Sequence, residues 1–198
     1  MNRKLPAVLL IIYTIYFIIL GINPYNRSVW VAENIPIVAI VLILALTYKK
    51  FQFSNVSYVM MAFLIFMHTL GGHYTFERVP FGFITDLFGF ERNHYDRIAH
   101  FSVGFYAYPL AEYLSRKNIL KSKIILFLFG VCTIFTVASM YEIFEWLYAV
   151  SSDPTAGAAF LGSQGDIWDA QKDMLADGLG SIVAMILFIG TFKDSNTC

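Results

Sequence analysis

The sequence predicts an all-α fold, a polytopic membrane helix bundle of about six transmembrane helices, and three observations carry that prediction. Hydrophobic residues make up 58% of the chain and charged residues only 14%, with a mean hydropathy of +0.61, the balance of an integral membrane protein rather than a soluble domain. Apolar runs fall near residues 5–22, 31–48, 56–75, 98–114, 124–150 and 174–192, each close to the length a helix needs to cross a bilayer. None of them alternates with a period of two, so helices, which bond their backbone groups internally, fit and a barrel does not.

The first run follows a basic Asn2-Arg3-Lys4 start, and no small-residue cleavage pattern comes after Leu20, so it reads as an uncleaved span. The second, the shortest, ends on Lys49-Lys50, and the third on Gly71-Gly72-His73-Tyr74. Residues 76–96 form a long loop with Val79-Pro80-Phe81-Gly82-Phe83 and Phe88-Gly89-Phe90, suited to a short interfacial helix or lid that admits a lipid tail. The fourth run ends on Arg116-Lys117, the fifth rises from Lys123, a second loop covers residues 151–170, and the sixth follows it. No internal repeat or linker divides the chain, so residues 1–198 form a single integral membrane domain.

Charge distribution sets the orientation. Nine of the fourteen basic residues, Arg3, Lys4, Lys49, Lys50, Arg116, Lys117, Lys121, Lys123 and Lys193, fall at one end of the runs. Positive charge stays in the cytoplasm, so both termini are expected inside a plasma (inner) membrane, with residues 76–96 and 151–170 outside. Twelve of the fourteen acids lie on or near the outer side, Glu112 and Asp194 being the exceptions. No basic surface suggests a nucleic-acid partner. Cys132 sits within the fifth run and Cys198 ends the tail, so this topology forbids a disulfide between them.

Four runs reach an ionisable cluster at one depth. Lys193 to Asp177 is 16 residues, Lys123 to Glu142 is 19, Arg116 to His100 is 16 and Asn55 to His73 is 18. At about 1.5 Å per residue these spans are roughly 24–29 Å, near the far edge of a hydrocarbon core about 30 Å thick.

The motifs at that depth suit chemistry. Asp96 and His100 stand at i and i+4 on one helix face, a carboxylate placed to orient an imidazole, beside Arg97, a guanidinium able to clamp phosphate or carboxylate. Their bland counterpart is a helix cap, an interfacial histidine and a snorkelling anchor. Glu142 and Glu145, at i and i+3, are costly in lipid unless paired, protonated or metal-bound; without chemistry, Glu142 would bond an arginine such as Arg97. If a helix begins near Asp166, then Asp166, Asp169, Asp173 and Asp177 form one stripe, stable only with counter-charges, shared protons or a cation. Gly162 and Gly165 flank a polar turn whose amides suit an anion, while Gly178 and Gly180 suit close helix packing. His73 gains weight from its depth, His68 reads as a packed, hydrogen-bonded residue, and Glu112 as a helix-end residue.

These motifs, Asn93-x-Tyr95-Asp96-Arg97-x-x-His100-Phe101, Tyr141-Glu142-x-x-Glu145-Trp146 and Gly162-Ser163-Gln164-Gly165-Asp166-x-Trp168-Asp169-x-Gln171-x-Asp173-Met174, resemble the YjdF-type family of small inner-membrane proteins. The resemblance covers most of the chain and implies a membrane setting without naming an activity. More distantly the chain is similar to the VanZ-like group, some members of which are linked to glycopeptide tolerance. It departs from that group where it has no Glu-x-x-Gln on the fifth run and Gly165-Asp166 in place of a basic residue.

The expected function is that of an outward-facing Asp/Glu/His site, as a metal-assisted hydrolase or transferase acting on a lipid or envelope precursor. In it Asp96, His100, Glu142, Glu145 and Asp173 are the candidate catalytic residues, and Arg97, Tyr74, Gln164, Asp166 and Asp169 the candidate substrate contacts. His73, Asp96, His100, Glu142, Asp173 and Asp177 are the candidate ligands for a divalent cation, Zn²⁺ or Mg²⁺ given the mixed N/O donors. The partners implied are membrane lipids and a lipid-linked substrate. Two other classes remain open: a proton- or cation-coupled transporter or binding protein, which needs a polar route inward that these runs lack, and a charged network that pins helices without chemistry.

Overall fold

The computed structural model describes residues 4–192; Arg3, Lys193, Asp194 and Cys198 lie outside them, and with them part of the basic count above. Among the described residues there is no strand. Nine α-helices run in the order α1 (Leu5–Leu20), α2 (Arg27–Thr47), α3 (Asn55–Tyr74), α4 (Gly82–Phe88), α5 (Tyr95–Val103), α6 (Ala107–Arg116), α7 (Lys123–Ser151), α8 (Pro154–Leu161) and α9 (Asp169–Thr191). Four of them, α2, α3, α7 and α9, are long and apolar enough to cross a membrane. The first run is the shorter helix α1, of 16 residues. The fourth is α5 and α6 joined by a tighter 3₁₀ turn at Gly104–Tyr106.

Caps explain where the helices start. Asn26 accepts from the amides of Ser28 and Val29 to open α2, Ser54 from Ser57 to open α3, and Ser122 from Ile125 to open α7. Asp153 caps α8 with Pro154 at its first position, so the loop expected at 151–170 contains a helix; α4 likewise falls in the loop at 76–96.

The six long segments alternate in direction. One end of the bundle carries Asp96, His100 and Asp173 and is called the polar end; the other carries Lys49, Lys50 and Lys123 and is the basic end. Large apolar residues cover the outside, as with Ile11, Ile15 and Ile18 along α1, all more than half exposed, which suits a lipid surround and not water. Inside, α6, α7 and α9 meet through Ala107, Ala111, Ile134, Ala184 and Met185. Helices α1, α2 and α3 meet through Tyr13, Ile37 and Ile65, and α2 meets α8 through Val29, Ala32 and Phe160.

One crossing sets the site. Where α9 passes the 3₁₀ turn after α5, a Cβ on Gly180 would stand 1.9 Å from the Phe101 carbonyl oxygen, and one on Gly104 2.2 Å from the Ser181 amide nitrogen. Only hydrogen atoms fit at either position, so the two backbones touch, as small residues allow in membrane bundles. At the basic end the buried Glu112 ties α6 to the start of α3. It accepts from the Ser54 amide at 2.8 Å, the Ser54 and Ser57 hydroxyls at 2.8 and 2.5 Å, and Arg116 at 2.7 Å.

Candidate functional site

The close crossing of α5 and α9 lays the Asp96/His100 face of one helix against the acidic stripe of the other. His100 Nδ1 lies 3.2 Å from Asp177 Oδ2. Its Nε2 lies 3.6 Å from Asp96 Oδ1 and 3.7 Å from Asp173 Oδ1. Ligand atoms of Asp96, His100 and Asp173 all fall within 4.8 Å of one another. Arg97 fills the next layer, donating through Nη1 to Asp173 and through Nη2 to Asp169, with Asp166 at 3.6 Å. Above it Arg92 Nη1 reaches Asp169 at 2.7 Å and Asp166 at 3.4 Å, and Lys172 reaches Asp166 at 2.6 Å.

Helix α9 starts at Asp169, not Asp166. Asp166 lies in the turn ahead of it, its side chain accepting from the Trp168 amide at 3.1 Å, so the stripe on the helix itself is Asp169, Asp173 and Asp177. That turn is clamped to the start of α5 by Gln164, whose Oε1 accepts from the Asn93 amide at 2.9 Å and whose Nε2 donates to the Asn93 carbonyl at 3.0 Å. His94, in the loop before α5, is held below the usual imidazole range by partial burial first and then by Arg92, Arg97 and Lys172.

A second constellation stands opposite. Glu33 on α2, 1% exposed, accepts from the Tyr141 hydroxyl at 2.7 Å and pairs with His68 Nε2 at 2.9 Å. Between the two lies a cavity of about 350 Å³. Its polar wall is formed by Asp96, His100, Asp177, His68, Tyr141 and Glu145, and its deeper wall by apolar side chains of α2, α3, α6 and α7. Asp177, 1% exposed, leaves Oδ1 buried without a hydrogen-bond partner, as does Glu142 Oε1.

The structure thus groups Asp96, Arg97, His100, Asp166, Asp169, Asp173 and Asp177 and sets Glu145 on the same cavity. Glu142 lies within electrostatic reach of His100, Asp173, Asp96 and Asp177, but it makes no contact with Arg97. His73 and Tyr74 do not join. His73 Nδ1 bonds the Leu20 carbonyl at 2.7 Å, and its ring packs on Tyr74. The reason is angular: His73 is five residues past His68, about 140° around a helix of 100° per residue, so only one of them can face the cavity. Arg97 is not placed as a substrate clamp either, since both its terminal nitrogens go to carboxylates.

Glu33, His68, Tyr141 and Arg92 were not among the sequence candidates. For Glu33 a signal was present: it lies 16 residues from Lys49, the count that singled out His100 and Asp177.

A family model described as "Predicted membrane protein (DUF2238)" matches residues 5–194. The "Inner membrane protein YjdF" of Escherichia coli (strain K12) is 32% identical over 197 residues, covering 96% of this chain and 88% of that protein. No solved structure matches.

Proposed function

We propose, from the premise that the chain belongs to the DUF2238 family of membrane proteins, that it is a membrane-embedded hydrolase or transferase. In this reading a divalent cation at Asp96, His100 and Asp173 serves a reaction on a lipid or lipid-linked envelope precursor. The observation that carries the reading is the imidazole with one nitrogen bonded to Asp177 and the other facing two carboxylate oxygens 3.6 and 3.7 Å away. Donors around a tetrahedral ion with bonds of 2.0–2.2 Å stand about 3.3–3.6 Å apart, so these gaps suit an ion better than a direct hydrogen bond. A carboxylate behind the ligating histidine is the usual second layer of such a site.

Charge supports the same reading. Eight carboxyls, Glu33, Asp96, Glu142, Glu145, Asp166, Asp169, Asp173 and Asp177, face three fixed cations, Arg92, Arg97 and Lys172, and two imidazoles. Even with both imidazoles protonated, three negative charges are left for protons or a cation to offset.

When bound, such an ion polarises a phosphoryl or acyl oxygen and makes its water a nucleophile near neutral pH. The chain's own groups divide the remaining work. Asp177 keeps the proton on His100 Nδ1 and leaves Nε2 as the donor to the ion. Glu145, on the cavity wall, would be the carboxylate available to accept a proton from water there. Arg97 holds Asp173 in place and offsets its charge. Transport is less well supported, because the cavity below His100 is walled by apolar side chains such as Ile37, Leu64, Leu110 and Ile134, and Glu112 at the far end is bonded to Ser54, Ser57 and Arg116.

Elemental analysis of the purified protein tests this: the wild type should carry about one divalent ion per chain, and Asp96→Asn and His100→Gln should lose it while staying folded. A metal-free wild type sinks the proposal.

The proposal also places the polar end outside the cell, from the excess of lysine and arginine at the basic end. In a background lacking Cys132 and Cys198, a Ser152→Cys variant should react with an impermeant thiol reagent on intact cells, and a Lys121→Cys variant only after permeabilisation. The reverse pattern would overturn the orientation and leave the metal result untouched.

A further inference from the structure

We infer that the cavity beside His100 binds the single apolar chain of a membrane amphiphile whose head group carries an ammonium, and that this chain enters sideways from the bilayer between α2 and α7. The inference names a substrate class for the site proposed above, so it rests on that reading. Its own support is the shape and charge of the cavity.

Depth comes first. The cavity runs from His100 to Leu110 along the α5–α6 rod and from Glu145 to Thr133 along α7. Those separations correspond to about 15–18 Å of helix, close to half of a hydrocarbon core about 30 Å thick, which is one leaflet. The wall changes character over that depth. The polar end carries the carboxyls and imidazoles, while Ile37, Ile40, Leu64, Val103, Leu110 and Val137 line the deeper part. A cavity polar at head-group level and apolar for the thickness of one leaflet has the shape of one lipid chain.

The way in follows from the packing. Helices α2 and α3 pack together, as do α6 and α7, whereas α8 bridges α7 to α2 at the polar end through Tyr148, Phe160, Val29 and Ala32. The Tyr141–Glu33 hydrogen bond closes the seam at that same level. Deeper, the facing surfaces of α2 and α7 are cavity wall, and Val137 there is 49% exposed. Pro36, also on the wall, lacks the N–H that would bond the Ala32 carbonyl, which loosens α2 along this edge.

The head group follows from the charges. No lysine or arginine lines the cavity among the described residues, because Arg92 and Arg97 are turned to the α9 acids. Asp96, Asp177 and Glu145 lie on one wall together with Phe76, Tyr141 and Phe160. Carboxylates set among aromatic faces form the surroundings that recognise an ammonium.

The test uses purified full-length protein in a neutral detergent and three probes of one chain length, dodecylamine, dodecanol and dodecyl phosphate, with binding followed by native mass spectrometry. The amine should bind at least tenfold more tightly than the alcohol, and the phosphate most weakly. Val137→Trp, at an exposed position, and Ile40→Trp should each lower amine and alcohol binding tenfold or more. Glu145→Gln should bring the amine down to the level of the alcohol and leave the alcohol unchanged. Equal binding of amine and alcohol overturns the head-group assignment, and unchanged binding in both tryptophan variants overturns the chain site. Phosphate binding as tightly as the amine also overturns it and points to Arg92, whose Nε and Nη2 are buried without partners. Metal measured in the same samples separates the two proposals: amine binding by a metal-free protein removes the cation reading and keeps this one.

Discussion

Replacing Arg97 with methionine is expected to cost about 3–5 kcal/mol of stability, as breaking a buried pair by removing one partner does. The Arg97 side chain is 15% exposed and the Asp173 side chain 4%, so the carboxylates left behind have little water to turn to. Methionine keeps the stem and its packing and removes the fork. Arg97→Lys should recover only part of the loss, since one ammonium cannot reach Asp169 and Asp173 with the geometry of a guanidinium. Arg97→Met combined with Asp169→Asn and Asp173→Asn should recover most of it, because the unpaired charges leave together with the cation. Thermal unfolding in detergent reads all three variants. A stable Arg97→Met single variant would show that the network holds without its central cation.

Gly180→Ala is expected to cost about 3 kcal/mol or more, at or beyond the upper end for overpacking, because the new methyl would overlap the Phe101 carbonyl at 1.9 Å. The atom in the way is backbone and cannot rotate aside. To make room α9 must move away from α5, which pulls Asp177 and Asp173 from His100, so the variant should lose stability and, on the proposed reading, the ion held between them as well. Gly190→Ala, on the same helix with nothing within 4 Å of its Cβ, is the control. It should be neutral or stabilising by up to about 1 kcal/mol, the difference in helix propensity. Equal effects at the two glycines would mean that the crossing is not tight.

Depth was legible in the sequence and facing was not. Counting from basic residues at one end brings His100, Glu142 and Asp177 to one level, because a helix converts residue number directly into height. The count of 18 from Asn55 brings His73 there too, yet rotation decides which side of α3 looks inward, and the hydrophobic run is too uniform to reveal it. His68, one turn deeper, faces the cavity instead. Glu33 satisfied the count from Lys49 and stayed unread, since the second run was the shortest and its single acid stood without a motif. The partner of a charge is harder still: Arg97 could answer any of several carboxylates, and the choice of Asp169 and Asp173 over Glu142 depends on which helices touch. Gly180 and Gly104 hinted at that contact only as small residues do anywhere in a membrane bundle. The helix at Pro154–Leu161 had its signature in Asp153-Pro154, a capping acid before a first-turn proline, but it was too short to register as an apolar run.

Arg97 and Asp169 are 72 residues apart in the chain, and ribosomes add about 5–20 residues per second. For some 4–14 s in the life of every molecule, therefore, Arg97 and His100 are already made while most of the acids that will satisfy them do not yet exist. A guanidinium in that position favours the hydrated membrane surface, so α5 is expected to take its final depth only once the last helix is delivered. On that expectation, assembly of the polar end waits for the C-terminal segment. A chain cut short before residue 169 would be left with a stranded cation and a half-seated helix, the kind of defect that membrane quality control recognises and removes.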